Sequence, residues 1–141
     1  MDPVMKREII LENYQNPMHR GLVEDSSYIK VNTNNESCID NLDVQYKIVD
    51  GVIEDIRFDG EACAISTSAT SVMIRSFIGK RVEEAKEILK NYEAMIEEEE
   101  YDPSILGELN VYEETYLQPN RKKCALLPFA SFHKVLDQIE K

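Results

Sequence analysis

Three cysteines and one aspartate carry most of the chemistry this 141-residue chain can offer. Cys38 is followed two residues later by Asp40, and in an extended loop positions i and i+2 point to the same side, with Ile39 facing away. Cys63 stands between a strand-like run and a helix-like run. Backbone N–H groups there have no intrahelical partners, and the helix dipole places partial positive charge near the sulfur. Such a setting suits a thiolate that ligates metal or attacks as a nucleophile. Cys124 follows three cations, Arg121, Lys122 and Lys123. Three thiolates and a carboxylate make an S₃O donor set, which suits tetrahedral Zn²⁺ with Zn–S bonds of about 2.3 Å and Zn–O bonds of about 2.0–2.2 Å. No C-x₂-C knuckle is present, so by spacing alone the same residues also read as three buried small hydrophobes. Cys124 and His133 form a conceivable nucleophile pair, but nothing supplies a third, orienting group, and His133 reads as an ordinary helix histidine. The chain has no Gly-rich phosphate loop and no H-E-x-x-H.

The elements that must position these residues are legible in outline. Asp2-Pro3 is a helix start, and Met5, Ile9, Ile10 and Tyr14 recur near helical spacing until Asn16-Pro17. This predicts an amphipathic helix over 3–15. A polar connector from Met18 to Ser27 follows, carrying His19. Tyr28 to Asn32 is a short strand, Leu42, Val44, Tyr46 and Ile48 alternate at period two, and Asp50-Gly51 joins them to a third run with Ile56 and Phe58. Such a sheet needs helices over its apolar face. Ile65, Ala69, Val72, Met73 and Phe77 give one apolar stripe, with Gly79 as a stop. Its other side carries Ser66, Ser68, Thr70 and Ser71, small enough for close packing or for a bulky neighbour. Val82, Ala85, Leu89, Tyr92 and Ile96 give a second stripe, and Phe129, Phe132, Leu136 and Ile139 a third. Pro128 follows closely on Cys124 and lacks a backbone donor, so it is expected to shift the start of this last helix. The fold class is α+β, a three-stranded antiparallel sheet with helices packed on one face, in one domain spanning 1–141.

Composition narrows the class of function. Net charge is −11, from 27 acidic and 16 basic residues, the opposite of what phosphate neutralisation requires, so neither nucleic acid nor an anionic membrane surface is an expected partner. Acidity is concentrated in Glu97-Glu98-Glu99-Glu100, read as a solvated loop or as a docking patch for a basic partner. No apolar run approaches the ~20 residues of a membrane span. Three separated cysteines make no disulfide framework, and with no secretion signal the expected home is the reducing cytoplasm.

Four segments together resemble one family. Asn13-Tyr14-Gln15-Asn16-Pro17 with Gly21 looks like H-Y-x-N-P-x-x-x-G, and Ser37-Cys38-Ile39-Asp40 looks like N-P-x-C-G-D. Gly60-Glu61-Ala62-Cys63-Ala64-Ile65-Ser66 looks like G-x-G-C-x-I-S, and Arg121-Lys122-Lys123-Cys124-Ala125-Leu126-Leu127 looks like R-x-K-C-A-x-L. In this order and at these distances they resemble the IscU/SufU/NifU-type iron–sulfur cluster assembly proteins nearly end to end. The acidic insertion between Cys63 and Cys124, and Lys123 where scaffold-type members place histidine, are similar to the SufU branch. That resemblance implies a zinc-bound sulfurtransferase-like protein that accepts persulfide sulfur from a PLP-dependent, SufS-type cysteine desulfurase and serves downstream iron–sulfur assembly proteins. It implies the zinc ligands Cys38, Asp40, Cys63 and Cys124, with Cys38 as sulfur acceptor and Cys124 as second candidate, and Arg121 near the anionic centre. The alternative it implies is a scaffold on which a transient [2Fe–2S] cluster forms on the same residues. Ile39 and Ala62 replace family glycines, so loop conformation is expected to differ there.

Overall fold

Asp2 begins the first helix as the sequence predicts: its side chain accepts the N–H groups of Val4 and Met5, with Pro3 at the first helical position of α1 (Pro3–Gln15). The computed structural model describes residues 1–35 and 39–140. Strands β1 (Ile29–Asn34), β2 (Asn41–Val49) and β3 (Val52–Glu61) form an antiparallel sheet in the order β1-β2-β3. Asp50 (φ 52°) and Gly51 (φ 77°) make the two-residue turn between β2 and β3, both with the positive φ of a type I′ hairpin. Helices α2 (Ala64–Phe77), α3 (Val82–Ile96) and α4 (Pro119–Ile139) follow, with 3₁₀ turns at Pro103–Ile105, Gly107–Tyr112 and Thr115–Leu117 between α3 and α4. The last of these turns lies in the stretch 112–120, where the sequence shows no regular spacing.

Period-two alternation turns Leu42, Val44, Tyr46, Ile56 and Phe58 to one face of the sheet, where all are fully buried. Helices α2 and α4 lie on that face, and Phe132 of α4 meets Tyr46 at 5.8 Å and Phe77 at 4.9 Å between ring centres. Tyr92 of α3 stacks on Phe129 at 4.2 Å. Burying these rings is the main source of stability, at roughly 25 cal/mol per Å² of apolar surface. The small-residue side of α2 proves to be close packing: Ser66, Thr67, Ser68, Thr70 and Ser71 are all buried. Ser71 Oγ donates to Asn13 Oδ1 of α1 at 2.6 Å, and Ser68 Oγ pairs with the Tyr112 hydroxyl at 2.6 Å. The middle of the helix is thus enclosed, with these hydroxyls paired to protein partners.

Two features depart from the sequence reading. The connector after α1 runs along the free edge of β3, where Gly21 N–H donates to Phe58 O at 2.7 Å and Phe58 N–H to His19 O at 3.3 Å. It then reaches Gln45 on the outer face of the sheet, whose amide exchanges two hydrogen bonds with the Val23 backbone at 2.9 and 2.8 Å. An exposed strand edge is covered this way without a helix. The second departure is α4, which begins at Pro119 and runs through Pro128, so Cys124 lies within the helix rather than before it. Pro119 at the first position suits a helix start, and Pro128 removes one backbone donor without ending the helix.

Candidate metal centre

The site lies at the end of the sheet where β2 begins and β3 ends. Asp40 immediately precedes β2, Cys63 follows β3 and caps α2, and Cys124 sits in the second turn of α4. The strand that delivers Cys63 passes very close to β2. Gly60 has φ +132°, and a Cβ there would stand 2.2 Å from the Asn41 carbonyl oxygen, so no larger residue fits without moving the strands.

Asp40, Cys63 and Cys124 each offer one ligand atom, and these atoms lie within 4.8 Å of one another. Cys63 Sγ is 3.8 Å from Asp40 Oδ2. Neighbouring donors of a tetrahedral zinc ion are about 3.6–3.8 Å apart when bonds have their usual lengths. The donor set therefore fits Zn²⁺ in both chemistry and spacing. Cys38 and the two residues before it lie outside the described residues. Ile39 is 67% exposed while Asp40 is 2% exposed, so the chain turns its aliphatic side chain to solvent and its carboxylate inward.

Asp40 is held on both oxygens. Oδ1 accepts the Cys63 N–H at 2.7 Å, and Oδ2 accepts the Ser66 hydroxyl at 2.6 Å. Burial alone would raise this carboxyl, but those donors and the two thiols outweigh it and hold it below the usual carboxylate range. Cys63 is the N-cap of α2, with φ −67° and ψ 170°, and its sulfur accepts the Ser66 N–H at 3.4 Å, as its strand-to-helix position predicts. Cys124 is only 7% exposed. Burial pushes its thiol up to about 12, and the neighbouring Cys63 and Asp40 push the same way.

Other candidates fall outside the centre. His133 pairs with Glu93 of α3 at 2.9 Å, as an ordinary helix histidine would, and forms no pair with Cys124. His19 Nδ1 lies 2.9 Å from Asp55 Oδ1 on the outer sheet face. Arg121 is exposed and has no side-chain partner among the described residues. Ala62 does not take positive φ, so the missing glycine at that position imposes no strain. Glu97 to Glu100 are exposed, with Lys122 3.9 Å from Glu97. Sequence reasoning took Ser66 only as a small residue. Its role at the site depends on partners 26 and 58 positions away, Asp40 and Cys124, which no local pattern signals.

Comparison with known proteins bears on this arrangement. The family described as NifU-like N terminal domain matches residues 5–124. The chain is 35% identical to the zinc-dependent sulfurtransferase SufU of Bacillus subtilis (strain 168) over 129 residues, 91% of this chain and 86% of the relative. It is 30% identical to the iron–sulfur cluster assembly scaffold protein IscU of Thermotoga maritima over 138 residues, 98% of this chain and 96% of the relative. A crystal structure described as a putative iron–sulfur cluster assembly scaffold protein for the SUF system, from Fervidobacterium islandicum AW-1, superposes with a TM-score of 0.83 at 32% identity, covering 92% of this chain and 95% of that one.

Proposed function

The chain belongs to the NifU-like N-terminal domain family of iron–sulfur cluster assembly proteins, and on that premise we propose that it is a zinc-dependent sulfur-transfer protein. The observation that carries this reading is the buried carboxylate of Asp40 set between the Cys63 and Cys124 sulfurs, with all three ligand atoms inside 4.8 Å. Cys38 is the proposed fourth ligand and the sulfur acceptor, with Cys124 as second candidate. Similarity to the Bacillus sulfurtransferase supports zinc over other metals. Bound there, Zn²⁺ would keep the cysteine sulfurs deprotonated at neutral pH while muting them as nucleophiles.

The proposed donor is the persulfide of a PLP-dependent, SufS-type cysteine desulfurase, and the recipients are downstream iron–sulfur assembly proteins. In the transfer, the Cys38 thiolate attacks the outer sulfur of the donor persulfide. The donor S–S bond breaks, its cysteine leaves as a thiolate, and Cys38 becomes the persulfide, with no net oxidation or reduction. Asp40 and Cys63 are anchored at the mouth of α2, and Cys124 is buried in α4.

The test is metal analysis of the freshly purified protein paired with a desulfurase turnover assay. About one zinc per chain and faster turnover are the expected results, with both lost in Cys38→Ala. Unchanged turnover on adding the zinc-loaded protein would reject the reading. A second reading, a scaffold carrying a transient [2Fe–2S] cluster, is favoured by similarity to the Thermotoga scaffold over nearly the whole chain. Anaerobic reconstitution giving a visible cluster spectrum and transfer to an apo-acceptor would select it.

A further inference from the structure

Three of the residues that build the metal centre meet at one side chain that carries no metal. Ser66 Oγ donates to Asp40 Oδ2 at 2.6 Å and lies 3.1 Å from the Cys124 carbonyl oxygen, while the Ser66 backbone N–H points at Cys63 Sγ at 3.4 Å. The residue is fully buried, and its single hydroxyl proton serves two acceptors. The second acceptor is available for a covalent reason. In an uninterrupted α-helix the Cys124 carbonyl would receive the backbone N–H four residues on, but that residue is Pro128, which has none. A buried carbonyl without a donor costs about 1–3 kcal/mol, so the pairing with Ser66 also explains why α4 tolerates its internal proline.

We propose that Ser66 is the positioning residue of the metal centre, fixing the Asp40 carboxylate and the Cys124 turn of α4 relative to Cys63, and that Pro128 is what gives it access to α4. The inference rests on the zinc-centre reading above. Ser66 binds no ion itself; it sets the distance between ligands from three different elements. Hydrogen bonds that orient ligands in this way typically account for about 10–100-fold in metal affinity.

The experiment measures Zn²⁺ affinity by competition with a chromophoric chelator, and the ligand-field spectrum of the Co²⁺-substituted protein, for wild type, Ser66→Ala, Pro128→Ala and the double variant. Ser66→Ala should weaken zinc binding about 10–100-fold and shift the Co²⁺ bands, which a merely structural serine would leave alone. Pro128→Ala restores a backbone N–H for the Cys124 carbonyl. In that background Ser66→Ala should therefore cost clearly less affinity than in wild type. Unchanged affinity and spectrum in Ser66→Ala overturn the inference, and equal losses in both backgrounds overturn the part assigned to Pro128. Failure of the two proposals is distinguishable. Wild-type protein that takes up no zinc rejects the functional reading and this inference together, whereas tight wild-type binding matched by Ser66→Ala rejects this inference alone.

Discussion

Asp40 and Asp55 are both largely withdrawn from water, and both are held below the usual carboxylate range, yet the fold treats them oppositely. Asp55 lies on the outer face of the sheet among cations and a phenol. Arg57 Nε donates to its Oδ2 at 3.0 Å, the Tyr28 hydroxyl donates to the same oxygen, and His19 Nδ1 lies 2.9 Å from Oδ1. Burial would raise its carboxyl, but these contacts outweigh burial. Among the described residues Asp40, at the other end of the sheet, receives neutral donors, the Ser66 hydroxyl, the Cys63 N–H and the Cys63 thiol, and no cation pairs with it. Its near neighbours are two thiols. A buried charge that the chain compensates itself is part of the fold, whereas one it leaves to be compensated from outside marks a site. The two aspartates should therefore fail differently when changed.

The largest difference is expected in metal binding. Asp40→Asn keeps the shape but removes the charge, and should weaken zinc binding by more than about 100-fold, beyond what loss of an orienting hydrogen bond causes. Asp55→Asn should leave zinc affinity within about threefold of wild type while costing about 2 kcal/mol of stability, the scale of a partly buried charged hydrogen bond. Chelator competition and urea unfolding on the same two proteins measure both. Equal zinc affinities in the two variants would erase the distinction.

Metal removal sharpens the contrast. With free zinc at about 1,000 times its dissociation constant, binding stabilises the folded state by about 4 kcal/mol. Thermal unfolding with and without a chelator should show that gain in wild type and Asp55→Asn, and no more than about 1.4 kcal/mol in Asp40→Asn, whose affinity is at least about 100-fold lower. A chelator-insensitive wild-type transition would mean that folding is not linked to zinc.

The pH response has a defined sign. Because the folded protein lowers the Asp55 carboxyl, the unfolded chain takes up its proton more readily. The stability it contributes is fully present above an unfolded value of about 4 and is lost as pH falls through the lower folded value. In metal-free protein, urea midpoints should therefore fall more steeply below about pH 4 in wild type than in Asp55→Asn, and parallel curves would contradict the assigned contacts.

How far the sequence foretold this contrast depends on the range over which each residue acts. The β2–β3 hairpin was legible because period-two alternation and Asp50-Gly51 are local signals, and the Cys63 cap was legible because a strand and a helix flank it directly. Asp55 was visible only as a polar residue alternating with Ile56 and Phe58. Its partner His19 arrives through a connector with no periodicity, folded back along β3, and Tyr28 from just before β1. The same limit hid the true course of α4. Pro128 reads as a boundary in any window of sequence, and the Ser66 hydroxyl that reaches the Cys124 carbonyl comes from far away along the chain. The resemblance to a known family located Asp40, Cys63 and Cys124, but the residues that hold them in place are long-range contacts that no motif records.

The smallest test bears on whether Asp55 is satisfied as one unit or contact by contact. Tyr28→Phe removes one donor and leaves Arg57 and His19 in place, so the carboxylate keeps its counter-charge. If the cation dominates, the variant should lose only about 1 kcal/mol, the net worth of an ordinary hydrogen bond, with zinc affinity unchanged. A loss as large as that of Asp55→Asn would show that the phenol, the guanidinium and the imidazole act as one network whose members cannot be counted separately. In that event Asp55 would also depend on neutral donors, and the contrast with Asp40 would rest on the two thiols and the ion they attract rather than on the absence of a cation.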